Sequence, residues 1–196
     1  MSGLRMDYHF SKGFSASELM VTVGLMGILT GLATPSYQDV IEKRRITNGA
    51  EQIAAFVSTV QSESVKRNEL ATVSYVGQED GSWCIGAVLG QTPCNCLESD
   101  PANAGFCSID STDWVLRDSD IQAKNLISSM SGDGSYAFDP VRGVFVDPSD
   151  SLVLGLDSGE GQFRMNLSVI ATGKVAVCLA TPSDHIPGFD DCPQQL

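Results

Sequence analysis

The sequence predicts an α+β protein in which one long N-terminal α-helix packs on an antiparallel β-sheet head. Three observations predict it. An apolar run without a charge extends from Met20 to Ala33. From Ser36 to about Asn68, apolar residues recur at spacings of three and four, the period of a helix with one buried face. After Asn68 the period drops to two, in short runs separated by turn residues, which is the pattern of half-buried strands.

The helix has two halves. Residues 14–35 read as a membrane-spanning segment, because the stretch is long enough to cross a bilayer as a helix and Glu18 is its only charge. Gly24, Gly27 and Gly31 within it are packing or flexibility positions, and Pro35 is expected to kink or loosen the helix where it leaves the membrane. Residues 36–69 are amphipathic. Ile46, Ala50, Ile53, Val57 and Val60 form the apolar stripe, while Glu42, Lys43, Arg44, Arg45, Glu51, Glu63, Lys66 and Arg67 mostly fall elsewhere. Such a stripe needs a sheet to cover it. Lys43-Arg44-Arg45 reads as a solvated helix face rather than a headgroup contact.

The head is expected to occupy residues 70–180. Ala71–Val76 and Trp83–Leu89 alternate around a turn at Glu79-Asp80-Gly81 and read as a hairpin laid on the helix. Residues 90–110 are rich in Pro, Asn, Asp, Gly and Cys and read as a long loop that needs disulfides to hold it. Trp114–Leu116 is a short strand, and residues 117–134 show no clear period. Ser135–Phe138 and Gly143–Val146 flank the turn-rich joint Asp139-Pro140-Val141-Arg142. Ser151–Leu156, Gln162–Ile170 and Lys174–Ala180 follow as strands, with turns at Asp157–Gly161 and Thr172-Gly173. The tail, 181–196, holds three prolines and reads as irregular.

Charge and cysteines bound the function. Of 196 residues, 24 are acidic and 12 are Lys or Arg, a net charge of -12. After Leu70 five cations (Arg117, Lys124, Arg142, Arg164, Lys174) face seventeen acids, so the head carries the whole imbalance. A surface of that sign repels phosphate backbones and anionic lipid. The six cysteines, Cys84, Cys94, Cys96, Cys107, Cys178 and Cys192, all follow the helix, and an even count in an exported head points to disulfides, with fifteen complete pairings open. Zinc at Cys84, Cys94, Cys96 and Cys107 is disfavoured, because Cys94-Asn95-Cys96 lacks the usual spacer. Calcium at Asp147, Asp150, Asp157 and Glu160 is disfavoured for want of EF-hand spacing. No phosphate loop, nucleophile elbow or dinucleotide fingerprint is present, and the two histidines, His9 and His185, lie at opposite ends of the chain. Neither an enzyme nor a cofactor is expected.

The start of the chain carries the most specific pattern. A polar leader containing Arg5, Asp7 and Lys12 ends at Gly13; Phe14 follows, and Glu18 stands four residues further on. A carboxylate at the outer part of a membrane helix is unfavourable by about 2–3 kcal/mol, so it needs a partner or a function. A secretory signal cut after Gly31-Leu32-Ala33 is the competing reading, against which Glu18 interrupts the apolar region and the leader is long.

Lys12-Gly13-Phe14 with Glu18 resembles the class III signal of type IV pilins and pseudopilins. The resemblance implies cleavage after Gly13 by a prepilin peptidase (residues 1–13 being the leader), N-methylation of Phe14, and a place for Pro35 at the twenty-second mature residue, where the family commonly carries a proline. It also implies that Glu18 pairs with the N-terminal amine of a neighbouring subunit. The Trp83 strand, Phe138-Asp139-Pro140-Val141-Arg142-Gly143, and a last strand entered through Thr172-Gly173-Lys174 and closing on Cys178 resemble the GspH/FimT group of minor pilins and pseudopilins. As in many pilins, Cys178 with Cys192 would then tie the tail to the last strand. The resemblance implies a single-pass inner-membrane protein with a periplasmic head, later part of a fibre. Its partners would be the peptidase, other major and minor pilins or pseudopilins, and the inner-membrane assembly platform. Some members resemble DNA receptors for natural transformation and carry Gly-Arg-x-Arg at the last strand. Here the matching residues are Gly173-Lys174-Val175-Ala176, with one cation kept at Lys174, which ranks DNA binding below assembly. A membrane-tethered binding protein that never joins a fibre is the remaining alternative.

Overall fold

The computed structural model describes residues 13–78, 82–121, 126–128, 134–147, 152–157, 163–170, 172–180 and 185–192. Residues 1–12 of the expected leader, the turn at 79–81, Lys124, Asp150, the turn residues 158–161 and the tail stretches 181–184 and 193–196 lie outside the described residues. So do the side chains of residues 32–36, Pro35 among them.

Helix α1 runs Ala16–Arg67, with Glu18 in its first turn and Lys66 and Arg67 in its last, the charge order that suits the helix dipole. It stops at Asn68, whose φ of 53° is left-handed. The Asn68 N–H donates to the Val65 carbonyl and the Glu69 N–H to the Ser64 carbonyl, both at 3.2 Å, which together make a Schellman motif. The chain divides into two compact units, one ending at Val40 and the other beginning at Ile41. In the second unit the stripe read from the sequence is buried: Ile46, Ala50, Ile53, Val57 and Val60 join a core shared with both sheets of the head.

The strands are β1 (Ala71–Gly77), β2 (Trp83–Leu89), β3 (Ser108–Ile109), β4 (Thr112–Asp113), β5 (Val115–Arg117), β6 (Leu126–Ser128), β7 (Ser135–Phe138), β8 (Leu152–Asp157), β9 (Arg164–Val169) and β10 (Val175–Leu179). They build two four-stranded antiparallel sheets, in the orders β5-β2-β1-β7 and β10-β9-β8-β6, and the two-stranded β3-β4 hairpin.

In the first sheet the β1–β2 register runs from Ala71 opposite Leu89 to Gly77 opposite Trp83. Period two then sends Val73, Trp83, Ile85 and Ala87 into the main core, while Cys84 falls in a separate cluster with Cys94, Cys96 and Cys107. Cys84 bonds Cys96 and Cys94 bonds Cys107, closing the two short loops that hold residues 90–107 against the far face of the sheet. Gly86 leaves room for them, since a Cβ there would lie 2.3 Å from Cys107 Sγ. The β3–β4 turn places Asp110 and Ser111 at φ of 52° and 61°, the doubly left-handed geometry of a two-residue hairpin. Arg67 at the end of α1 holds that turn through Asp110, at 2.5 Å.

The second sheet is more regular. Leu152, Leu154 and Leu156 of β8 pair with Val169, Leu167 and Met165 of β9, and all six are buried. Cys178 of β10 is bonded to Cys192, and Asp191 forms a parallel bridge to Leu179, so residues 190–192 lie along the sheet edge while Ile186 fills the core.

One expected strand is absent. Gly143–Val146 forms no ladder beyond a single bridge of Phe145 with Phe138. Asp139 closes the turn before the run, its carboxylate accepting the Val141 and Arg142 N–H groups at 2.8 and 2.9 Å and its carbonyl the Gly143 N–H at 2.8 Å. The run then meets β7 only around that bridge, through Asp139 N–H to the Val144 carbonyl at 2.7 Å and Val146 N–H to the Ala137 carbonyl at 2.9 Å. The apolar signal there is real but serves packing: Phe145 sits 5.1 Å from Phe138 and 5.4 Å from Tyr136, centroid to centroid.

Candidate functional site

Two places collect the residues singled out in the sequence. The first is the start of α1. Ser15 caps the helix: its Oγ accepts the Ser17 N–H at 3.3 Å, and its own N–H donates to Glu18 Oε2 at 3.0 Å. Ser15-Ala16-Ser17-Glu18 is thus a variant of the capping box in which the serine accepts the second N–H of the helix and the glutamate reaches back as usual, and the Ser-x-x-Glu spacing was the sequence signal for it. Phe14, Ser17, Glu18, Val21 and Thr22 outline a shallow concavity on one side of the first two turns. Every described side chain from Gly13 to Gly31 is exposed, including Met20, Val21, Val23, Leu25, Met26, Ile28 and Leu29 on all sides of the helix. The hydroxyls in this run are satisfied internally, Thr22 donating to the Leu19 carbonyl at 2.9 Å and Thr30 to that of Met26 at 2.7 Å. Among the described residues no helix is long and apolar enough to cross a membrane.

The second place is the entry to β10. Gly173 is buried at a φ of +78°, and a Cβ on it would lie 2.1 Å from the Gly143 carbonyl oxygen. Gln61 of α1 holds the two loops together, its Nε2 donating to the Gly143 carbonyl and, at 3.1 Å, to that of Gly173. The Phe-x-Pro-x-x-Gly and Thr-Gly-Lys segments are therefore the two halves of one joint. Sequence reading missed Gln61, which looks like any polar residue on a helix. Lys174 follows directly and is exposed.

Other expected residues fall apart or find structural work. Cys84, Cys94, Cys96 and Cys107 are all bonded in pairs, which leaves no thiolate for zinc. Asp157 pairs with Arg164 at 3.0 Å. Lys43 donates to the His185 carbonyl at 2.9 Å and lies 4.9 Å over the Phe163 ring, so it fastens the tail rather than forming part of a solvated face.

Among the described residues three carboxyls are held below the usual carboxylate range: Asp139 by the N–H groups of Arg142 and Val141, and Glu63 and Asp110 chiefly by hydrogen bonds from Arg67. A group whose folded value is depressed contributes stability above its unfolded value, and that contribution disappears as pH falls through the folded value. The melting temperature is accordingly expected to hold above about pH 5 and to fall below about pH 4. Asp139→Asn keeps an oxygen to accept the two N–H groups but removes the charge, so it should make the acid fall shallower. Calorimetry across that range checks this; an unchanged acid limb in the Asn variant would remove Asp139 from the account.

Likeness to known proteins falls in three groups. The family model described as "Type II transport protein GspH" matches residues 49–173. A fimbrial protein of Pseudomonas aeruginosa is 32% identical over 75 residues, 38% of this chain and 47% of the relative. The type IV major alpha-pilin of Moraxella bovis is 39% identical over 51 residues, 26% of this chain and 32% of the relative. The chain thus spans about half or less of the length of these curated relatives. Among solved structures, the type IV minor pilin FimU of Pseudomonas aeruginosa PAO1 aligns with a TM-score of 0.47 at 18% identity, over 76% of this chain and 96% of that one.

Proposed function

The chain belongs to the GspH family of pilin-like proteins, and from that membership we propose that it is a non-enzymatic minor subunit of a type IV pilus or a type II secretion pseudopilus. In this reading it enters the fibre at or near the tip and helps start assembly. One observation carries the reading: from Gly13 to Gly31 the helix is apolar on all sides and uncovered, with Glu18 as its only charge. A helix hydrophobic all round is stable only when surrounded, by lipid or by like helices. Both surroundings serve here in turn. Residues 14–35 anchor the chain in the inner membrane with the head in the periplasm, and then pack into a bundle of neighbouring subunits. Gly13 and Phe14 form the processing site for the prepilin peptidase, and Glu18 neutralises a neighbour's terminal amine.

The test is made on sheared surface fibres and on culture supernatant from a strain lacking the gene. Lost pili with normal secretion identify a pilus subunit; normal pili with exoproteins stranded in the periplasm identify a pseudopilin. In the complemented strain the chain should be recovered from the fibre fraction with a methylated Phe14 as its first residue. Recovery only from membranes, unprocessed, would instead mark a tethered protein that never joins a fibre.

A further inference from the structure

The joint at Gly143 and Gly173 has a surface consequence. Gln61 draws the two loops into backbone contact, which brings Arg142 and Lys174, each the chain neighbour of one of the glycines, to the same joint. Arg142 is 74% exposed and forms a loose ion pair with Asp139 at 3.7 Å, which leaves most of its guanidinium open to solvent; Lys174 is exposed. Two of the five cations that follow Leu70 therefore meet at one spot on a head of strongly negative charge. Apolar surface accompanies them. Val141 is 77% exposed, and Val65 of α1, 47% exposed, has its Cγ2 3.3 Å from where a Gly143 Cβ would sit.

We propose that Val65, Val141, Arg142 and Lys174 form the face by which the head docks on a neighbouring fibre subunit, and that the occupant is an acidic protein segment carrying an apolar side chain. The proposal rests on the subunit reading above. The cations favour an acidic partner, which the net negative charge of the head as a whole disfavours. The valines choose protein over nucleic acid. An apolar centre beside charged groups is the anatomy of a protein interface, whereas a phosphate backbone has no use for two exposed valines. Glycine at 143 and 173 and the Gln61 clamp hold the four residues in place, so little ordering is needed on binding.

The experiment uses the full chain in its own cells, with a photo-crosslinking amino acid in place of Val141 and fibres irradiated before shearing. The expected product joins Val141 to a stretch of a fibre subunit in which Asp or Glu flanks an apolar residue. Its yield should drop about tenfold in the Arg142→Glu, Lys174→Glu double variant and survive Arg142→Lys, because rim charges act through their sign. A product on nucleic acid or lipid, a product on a segment without carboxylates, or no product from a chain that is present in fibres would overturn the docking face and leave the subunit reading intact. Absence of the unlabelled chain from fibres would overturn both.

Discussion

Replacing Gly173 by alanine is expected to destabilise the head by about 3–5 kcal/mol, a large share of the stability of a marginally stable domain. Two effects add. The φ of +78° is strained for any residue with a Cβ, and that Cβ would lie 2.1 Å from the carbonyl oxygen of Gly143. The obstacle is backbone, held in place by Gln61 and by the closed turn at Asp139, so it has no rotamer through which to move away. Gly143→Ala supplies the comparison. Its φ of +63° is equally left-handed, but the nearest atom is Val65 Cγ2 at 3.3 Å, the end of a side chain that can shift. Gly143→Ala should cost only about 1 kcal/mol. Urea unfolding of the two purified variants separates them, and equal midpoints would show that the glycine joint is slacker than its geometry implies.

The second large effect is expected at Glu18. Glu18→Ala should leave cleavage after Gly13 intact while reducing incorporation into fibres by tenfold or more, since an unpaired amine in an apolar bundle is costly. The structure adds a complication, because Glu18 also completes its own helix by accepting the Ser15 N–H at 3.0 Å. Alanine removes both interactions at once. Glu18→Gln separates them: glutamine serves a capping box as well as glutamate does, but brings no charge to a neighbour. If charge neutralisation drives assembly, the Gln variant should fail as the Ala variant does. A Gln variant that assembles normally would assign Glu18 to helix capping alone.

Much of the fold was legible because its signals are local. The stripe from Ile46 to Val60, the β1–β2 hairpin and the alternation of Leu152, Leu154 and Leu156 each follow from a period of 3.6 or 2, which a short window of sequence reveals. The Gly143–Val146 run failed for an equally physical reason. Phe145 packs into an aromatic cluster, and just past the turn set by Asp139 the run meets β7 only around the Phe138–Phe145 bridge. Composition cannot separate packing from pairing in a run of four residues. The capping box at Ser15 and Glu18 was readable but was overshadowed by the processing pattern that includes it. Gln61 had no signal at all.

The sequence by itself determined the order of the elements, the apolar character of the first helical turns with their single carboxylate, and the candidate processing pair Gly13 and Phe14. These depend on neighbours along the chain. Only the tertiary structure decided that Cys84 pairs with Cys96 and Cys94 with Cys107, that the head divides into two sheets, and that Gln61 brings the Gly143 and Gly173 carbonyls together. Each of those depends on backbone groups far apart in sequence coming within a few ångströms. A disulfide or an amide clamp forms wherever that approach occurs, whatever the local pattern around it.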